Sequence, residues 1–250
     1  MEYQPIEDNL YKGHKYQILN ASTLKVIAML IMLLDHIGAT VIMRLPELGY
    51  ISQEQYATWY LCYRIVRNIG RTAFPIFCFF IVEGFYHTSN KAKYAMRLLL
   101  FAFVSQYPFE LALTGECGWR YTNVFFTLFL GLMTIWGMSE AEKRIRDTFC
   151  NTVLKILCIG AGGVVAYLCN TDYDYKGVLL IVIMYVFRSQ PIVRSVLGYI
   201  SFLWEAYCLP GFLLIHLYNG ERGKLGKYIF YIFYPAHLLL LYVAWKYILS

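Results

Sequence analysis

An acid and a histidine, Asp35 and His36, stand side by side in "LKVIAMLIMLLDHIGATVIM" (24–43), a stretch otherwise apolar and long enough to cross a bilayer. Ionisable groups at mid-membrane cost about 3 kcal/mol each on insertion scales, so they mark functional sites by default. His36 follows Lys25 by eleven residues. Eleven helical steps of about 100° return to within about 20° of the start, so the two side chains share one face, about 16 Å apart along the axis. Met29 and Met32 fall on the same stripe. A cation at the membrane rim can hold phosphate, and a long thin group bound there could lay its reactive end beside His36. Neutral imidazole is the natural general base near neutral pH. The plainer alternative is a histidine and a lysine that bond to neighbouring helices or snorkel.

Adjacent helical residues point about 100° apart, so Asp35 is not expected to orient His36 from its own helix. It should pair with a base on another helix or orient His36 through a water. "RNIGRTAFPIFCFFIVEGFYH" offers Arg67 and Arg71, four apart on one face, with Arg71 near the depth of Asp35 and Glu83 near that of Lys25. Two ion pairs are expected, Asp35 with Arg71 and Lys25 with Glu83, either beside a site or purely structural. Further polar residues within or beside apolar runs are Glu110, Asn123, Glu205, His216, and Tyr234 with His237 in "FYIFYPAHLLLL". His14 and His87 fall near loops, and "NAS" (20–22) is a glycosylation sequon by pattern only.

Long apolar spans must carry these residues. Of 250 residues, 59% are hydrophobic and 15% charged, where a soluble domain averages about 25% charged; the mean hydropathy is +0.48. We expect an all-α, polytopic transmembrane bundle of eight or nine spans in a single domain over 1–250. The spans read near 24–43, 67–87, 96–114, 122–138, 151–169, 177–187 extended by a few residues, 192–218 and 228–249. Pro75, Pro108, Pro210 and Pro235 should kink or break several of them. The polar first 20 residues lack the apolar core of a signal peptide, so the first span is expected to be an uncleaved anchor.

Basic residues give the orientation. With the N-terminus inside, Lys12, Lys15, Lys25, Lys91, Lys93, Arg97, Lys143, Arg144, Arg146, Lys155, Arg188 and Arg194 are inside, against Arg44, Arg64, Arg67, Arg71, Arg120 and Lys176 outside. A multi-pass protein of a bacterial plasma membrane with a cytoplasmic N-terminus is expected. The loop "NGERGKLGK" lies outside if 192–218 crosses once, and inside if the chain bends back at "CLPG" (208–211). The net charge of +6 suits anionic lipid, and the spread of basic residues gives no nucleic-acid patch. Seven scattered cysteines form no C-x-x-C pair and read as free thiols; no metal site is expected.

At these residues the chain resembles the TraX family of conjugal-transfer membrane proteins. The matching words are "LKVIAMLIMLLDHIGA", "RNIGRTAFPIFCFFIVEGFYHTSN", "YAMRLLLFAFVSQYPFEL", "NVFFTLFLG", "KGVLLI" and "KYIFYIFYPAHLLLL", in order from about residue 24 to 243. That family is associated with acetylation of the N-terminal amine of pilin. The resemblance implies a membrane acyltransferase using acetyl-CoA as donor. More distantly, type-3 membrane acyltransferases carry Arg, ten residues, then His in their first span; here Lys25 replaces the Arg, which removes bidentate phosphate binding but keeps a point charge. On this reading His36 and Asp35 are the catalytic candidates, and Lys25, Lys91, Lys93 and Arg97 bind the donor. Arg67, Arg71, Glu83, Glu110, Asn123, Tyr234 and His237 form the surrounding shell. The acceptor stays open among a peptide N-terminus, a glycan and a lipid-linked group. Two other classes also place acid and histidine at mid-membrane: a proton-coupled transporter, against which stands the lack of an inverted repeat, and a non-catalytic assembly factor.

Overall fold

A computed structural model describes residues 15–248; Lys12 and His14 lie outside that range. The described chain is all helix apart from loops and two isolated β-bridges. Ten α-helices follow in order: α1 (Ala21–Thr40), α2 (Tyr56–Gly70), α3 (Ala73–His87), α4 (Lys91–Thr114), α5 (Val124–Arg144), α6 (Thr148–Leu168), α7 (Asp174–Val186), α8 (Pro191–Ser201), α9 (Leu209–His216) and α10 (Lys227–Val243). Six helical segments are long and apolar enough to cross a membrane, α2 and α3 counting as one. The protein is a multi-pass membrane protein, and α7, α8 and α9 are the short members of its bundle.

The ends of these helices follow local chemistry. Asn20, Asn90, Asn123 and Asp147 each accept a hydrogen bond from a first-turn amide and so start α1, α4, α5 and α6. Gly115 ends α4 in the left-handed conformation that glycine adopts without penalty. The helices alternate in direction, so the start of α1 and the ends of α3 and α5 share one end of the bundle, called basal here. The end of α1 shares the apical end with the 114–123 loop. Arg44 seals that end by donating to the carbonyls of Thr40 and Leu113.

The stretch 192–218 does not cross in one run. α8 rises from the basal end and breaks at a 3₁₀ segment, Leu203–Cys208, where Glu205 leaves helical geometry. α9 then descends, its Gly211 set so close to the carbonyl of Thr72, the residue before α3, that a Cβ would collide with it. The descent ends where Leu19 and Tyr218 form an isolated parallel β-bridge. The "NGERGKLGK" loop therefore lies at the basal end, beside α1. Hairpin α8–α9 is re-entrant.

The core is aromatic. Phe74, Phe79, Phe85, Phe202 and Phe212 are almost fully buried, with Leu24, Ala28, Leu132 and Ile181 between them. Two helices lie outside this core: only Gly70 of α2 and only Ala166 of α6 are buried, and the apolar face of α6 looks outward to lipid.

Candidate active site

α1 and α10 cross at a histidine pair. His36 Nδ1 lies 2.6 Å from His237 Nε2, the rings stack with centroids 4.9 Å apart, and His237 Nδ1 lies 2.7 Å from the Phe233 carbonyl oxygen. A carbonyl can only accept, so His237 Nδ1 carries the proton and its Nε2 is a lone pair. That lone pair accepts from His36 Nδ1–H. The chain of bonds leaves His36 Nε2 unprotonated, with no hydrogen-bond partner among the described residues: a base in a set tautomer. His237 is 5% exposed, so the orienting bond is shielded from water. Pro235, inside α10, keeps this part of the helix from forming a full ladder of backbone bonds.

Asp35 does not touch His36. Its Oδ2 accepts from Arg67 Nη1 at 2.6 Å, and Arg67 also reaches the Asp35 carbonyl at 3.3 Å. The expected partner, Arg71, instead bonds Glu205 at 3.2 Å. The reason is a break in the chain: α2 ends at Gly70, and Arg71 at the turn into α3 faces the tip of the re-entrant hairpin. Small residues let α1 and α2 approach this closely. A Cβ on Gly70 would overlap the Asp35 carboxylate, and one on Gly38 would press on Val66 and Arg67. The expected Lys25–Glu83 pair is also replaced. Glu83 takes a two-point bond from Arg188, Nε to Oε1 at 2.9 Å and Nη2 to Oε2 at 3.3 Å, which a single ammonium cannot match.

Asp172 and Tyr173, between α6 and α7, complete the apical side of this cluster; neither was among the candidates named from the sequence. The outer edge of Asp172 is exposed. Protein packed around its carboxyl raises it to about 6 against the pull of Arg71 and Arg67, a rise that its contact with water limits.

On the basal side of the pair a cavity of about 630 Å³ runs from Lys25, Arg97 and Arg222 at its mouth to Met32, Phe125 and Tyr234 at its inner end. Tyr234 stands edge-on to His36, ring centroids 5.7 Å apart. Lys25 lies over the rings of Phe80 and Phe230, 4.6 and 5.2 Å from their centroids. Among the described residues no carboxylate pairs with Lys25, Arg97 or Arg222. Arg222 is held there by its loop: Ala21 N–H donates to the Glu221 carbonyl at 2.7 Å, and Ser22 Oγ donates to the Arg222 carbonyl at 3.0 Å. Its role could not be read from sequence, because the side of that loop was undecided.

Of the other donor-binding candidates, Arg97 lines the cavity while Lys91 and Lys93 do not; Lys91 lies over the Phe85 ring at 4.0 Å. Glu83 lines the cavity wall from within its ion pair. Glu110 and Asn123 serve the backbone. Glu110 accepts from the amides of Gly118 and Arg120, both at 3.2 Å, and Asn123 caps α5 and bonds Gln106. Among the described residues no cluster of three or more metal-type ligands occurs.

The family model described as "TraX protein" matches residues 20–244. A protein of Dichelobacter nodosus, named "Probable fimbrial assembly protein FimC, serogroup H1", is 30% identical over 251 aligned positions, covering 89% of this chain and 94% of the relative. No solved structure matches the chain. With both the family model and a nearly full-length relative in agreement, the chain belongs to the TraX family.

Proposed function

We propose that this protein is a membrane acetyltransferase: it moves an acetyl group from acetyl-CoA, bound in the basal cavity, to an amine or hydroxyl acceptor that meets it at His36. The carrying observation is the cavity itself, with unpaired cations at its mouth and Tyr234, in contact with His36, at its inner end. The chemistry of the lining fits this donor. Lys25, Arg97 and Arg222 are point charges for phosphates. The aromatic and aliphatic walls suit a slender pantetheine arm, and the volume falls in the usual range for small-molecule sites, about 300–1,000 Å³. The helical rise from Lys25 to His36, about 16 Å, is the depth such an arm must span.

His36 Nε2 takes the proton from the attacking nitrogen or oxygen as it bonds to the thioester carbon. The C–S bond then breaks, and the thiolate leaves with the electron pair and recovers the proton. His237 holds the reacting tautomer and spreads the transient positive charge through its bond to His36. Asp35 acts at one remove, by keeping Arg67 and α2 against α1. The family's association with pilin, and the fimbrial assembly named for the relative, favour a peptide N-terminus as acceptor. The basal position of Arg222 and Lys224 adds to the basic residues already on that side, which supports a cytoplasmic basal end and a donor drawn from the cytoplasm.

The test is direct binding and transfer. Purified protein in detergent should bind acetyl-CoA, and His36→Ala should bind it equally while transfer falls about 10²–10⁴-fold, the usual contribution of a general base. A wild-type protein that binds no acetyl-CoA would sink the proposal in favour of a transporter or an assembly factor.

A further inference from the structure

We propose that the Tyr234 hydroxyl is a catalytic residue, the hydrogen-bond donor that holds the oxyanion formed when the acetyl carbonyl is attacked; this rests on the acetyl-transfer reading above. Tyr234 is 2% exposed and lines the inner end of the cavity. A buried tyrosine hydroxyl almost always finds a partner, yet among the described residues none meets this one in good geometry. Its oxygen faces the backbone amide of Val124, the first residue of the 21-residue helix α5. The oxygen can accept from that amide, which leaves the hydroxyl proton free to donate into the cavity. The partial positive charge at a helix start makes such a hydroxyl a stronger donor.

Its position relative to the base is equally specific. Tyr234 and His237 are three residues apart on α10, on one face. The Tyr234 ring stands edge-on to Phe125, His36 and His237, with centroids 5.1, 5.7 and 5.7 Å away. These contacts leave the ring little freedom. A thioester delivered along the cavity therefore meets a fixed donor at its inner end, and the histidine pair, which does not itself line the cavity, lies against the edge of the Tyr234 ring.

Each step balances. The acceptor's lone pair forms the new bond to the carbonyl carbon, and the C=O π electrons move to oxygen, where Tyr234 O–H donates. His36 Nε2 removes the acceptor's proton. The C=O then re-forms, the C–S bond breaks, and CoA leaves as thiolate that takes the proton from His36. Tyr234 keeps its own proton throughout. One preorganised donor of this kind in a water-poor site is worth about 10²–10³-fold in rate.

The experiment is Tyr234→Phe, which removes one oxygen and keeps the ring. Rates are measured with a synthetic peptide bearing a free N-terminal amine, alongside binding of acetyl-CoA labelled with ¹³C at the thioester carbonyl. The expected result is a kcat lower by about 10²–10³-fold, with acetyl-CoA affinity and thermal midpoint unchanged. Infrared difference spectra should place the labelled carbonyl at lower frequency in the wild type than in water, and that displacement should vanish in the variant. Retention of the displacement, or a rate within twofold of wild type, overturns the assignment. So does a lowered thermal midpoint, because the hydroxyl would then have a structural partner. Failure of the wild-type protein to bind acetyl-CoA overturns the acetyl-transfer reading and this assignment together; normal wild-type transfer with an unimpaired variant overturns this assignment alone.

Discussion

The charges near His36 are neutralised in pairs, and their choice of partner is testable residue by residue. Asp35 and Arg67 are mostly buried, their side chains 15% and 21% exposed. Breaking a buried pair strands its partner in low dielectric, at about 3–5 kcal/mol, whereas removing both partners together costs less. A double-mutant cycle on thermal stability with Asp35→Asn and Arg67→Met should therefore show strong coupling, above about 1 kcal/mol. The cycle between positions 35 and 205 should show far less, since Glu205 is bonded to Arg71. Equal coupling in both cycles would mean that the four groups share charge as one cluster. The same pairing turns the Asp35 carboxylate toward α2 and away from the adjacent His36.

Among the elements, the loop after α9 has the most leverage for its size. It carries Arg222 to the cavity mouth and is pinned to the start of α1 by Ser22, whose hydroxyl donates to the Arg222 carbonyl and accepts from Leu225 N–H. Gly223 makes this possible: its φ is +75°, and a Cβ there would run into the side chains of Asn20 and Ser22. Gly223→Ala should detach the loop and withdraw Arg222. The apparent KM for acetyl-CoA should rise about tenfold, the value of one charge-assisted contact of about 1.4 kcal/mol, with kcat nearly unchanged. Steady-state kinetics at varied donor concentration would check this, and a fall in kcat with constant KM would exclude a role at the mouth alone.

For the whole molecule, the bundle has two chemically distinct ends. Basal residues include Lys25, Arg97 and Arg222; the apical cluster mixes Asp172, Glu205, Arg67 and Arg71. Cys150 and Cys117 are free and exposed, at the basal and apical ends respectively. In single-cysteine variants within cells, an impermeant maleimide should label Cys117 from outside and reach Cys150 only after permeabilisation. Vesicles of known orientation should transfer acetyl groups when acetyl-CoA is supplied on the Cys150 side alone. Activity from the Cys117 side would reverse the topology and break the link between cavity and cytoplasm.

How much of this was legible in the chain itself depends on whether a feature is local. Apolar runs about 20 residues long determined an all-helical membrane bundle, because in hydrocarbon each backbone amide must be satisfied within its own helix. The eleven-residue interval from Lys25 to His36 put the two on one face of α1, because helical periodicity alone sets it. "YPAH" marked Tyr234 and His237 as polar residues in an apolar run, but nothing in it said that His237 would meet His36, 201 residues away in sequence. Depth matching paired Asp35 with Arg71 and Lys25 with Glu83, and both failed, the first at the break after Gly70 and the second to the two-point bond from Arg188. Depth is a single coordinate, and the choice among cations at similar depth is made by rotation and by the break at Gly70. The re-entrant turn was equally out of reach, since "CLPG" permits either a crossing or a return. Packing decided it: Gly211 against the Thr72 carbonyl and Tyr218 against Leu19 bring the chain back to the end where it entered. That return delivers Arg222 to Lys25, so the mouth of the site exists only in the folded molecule.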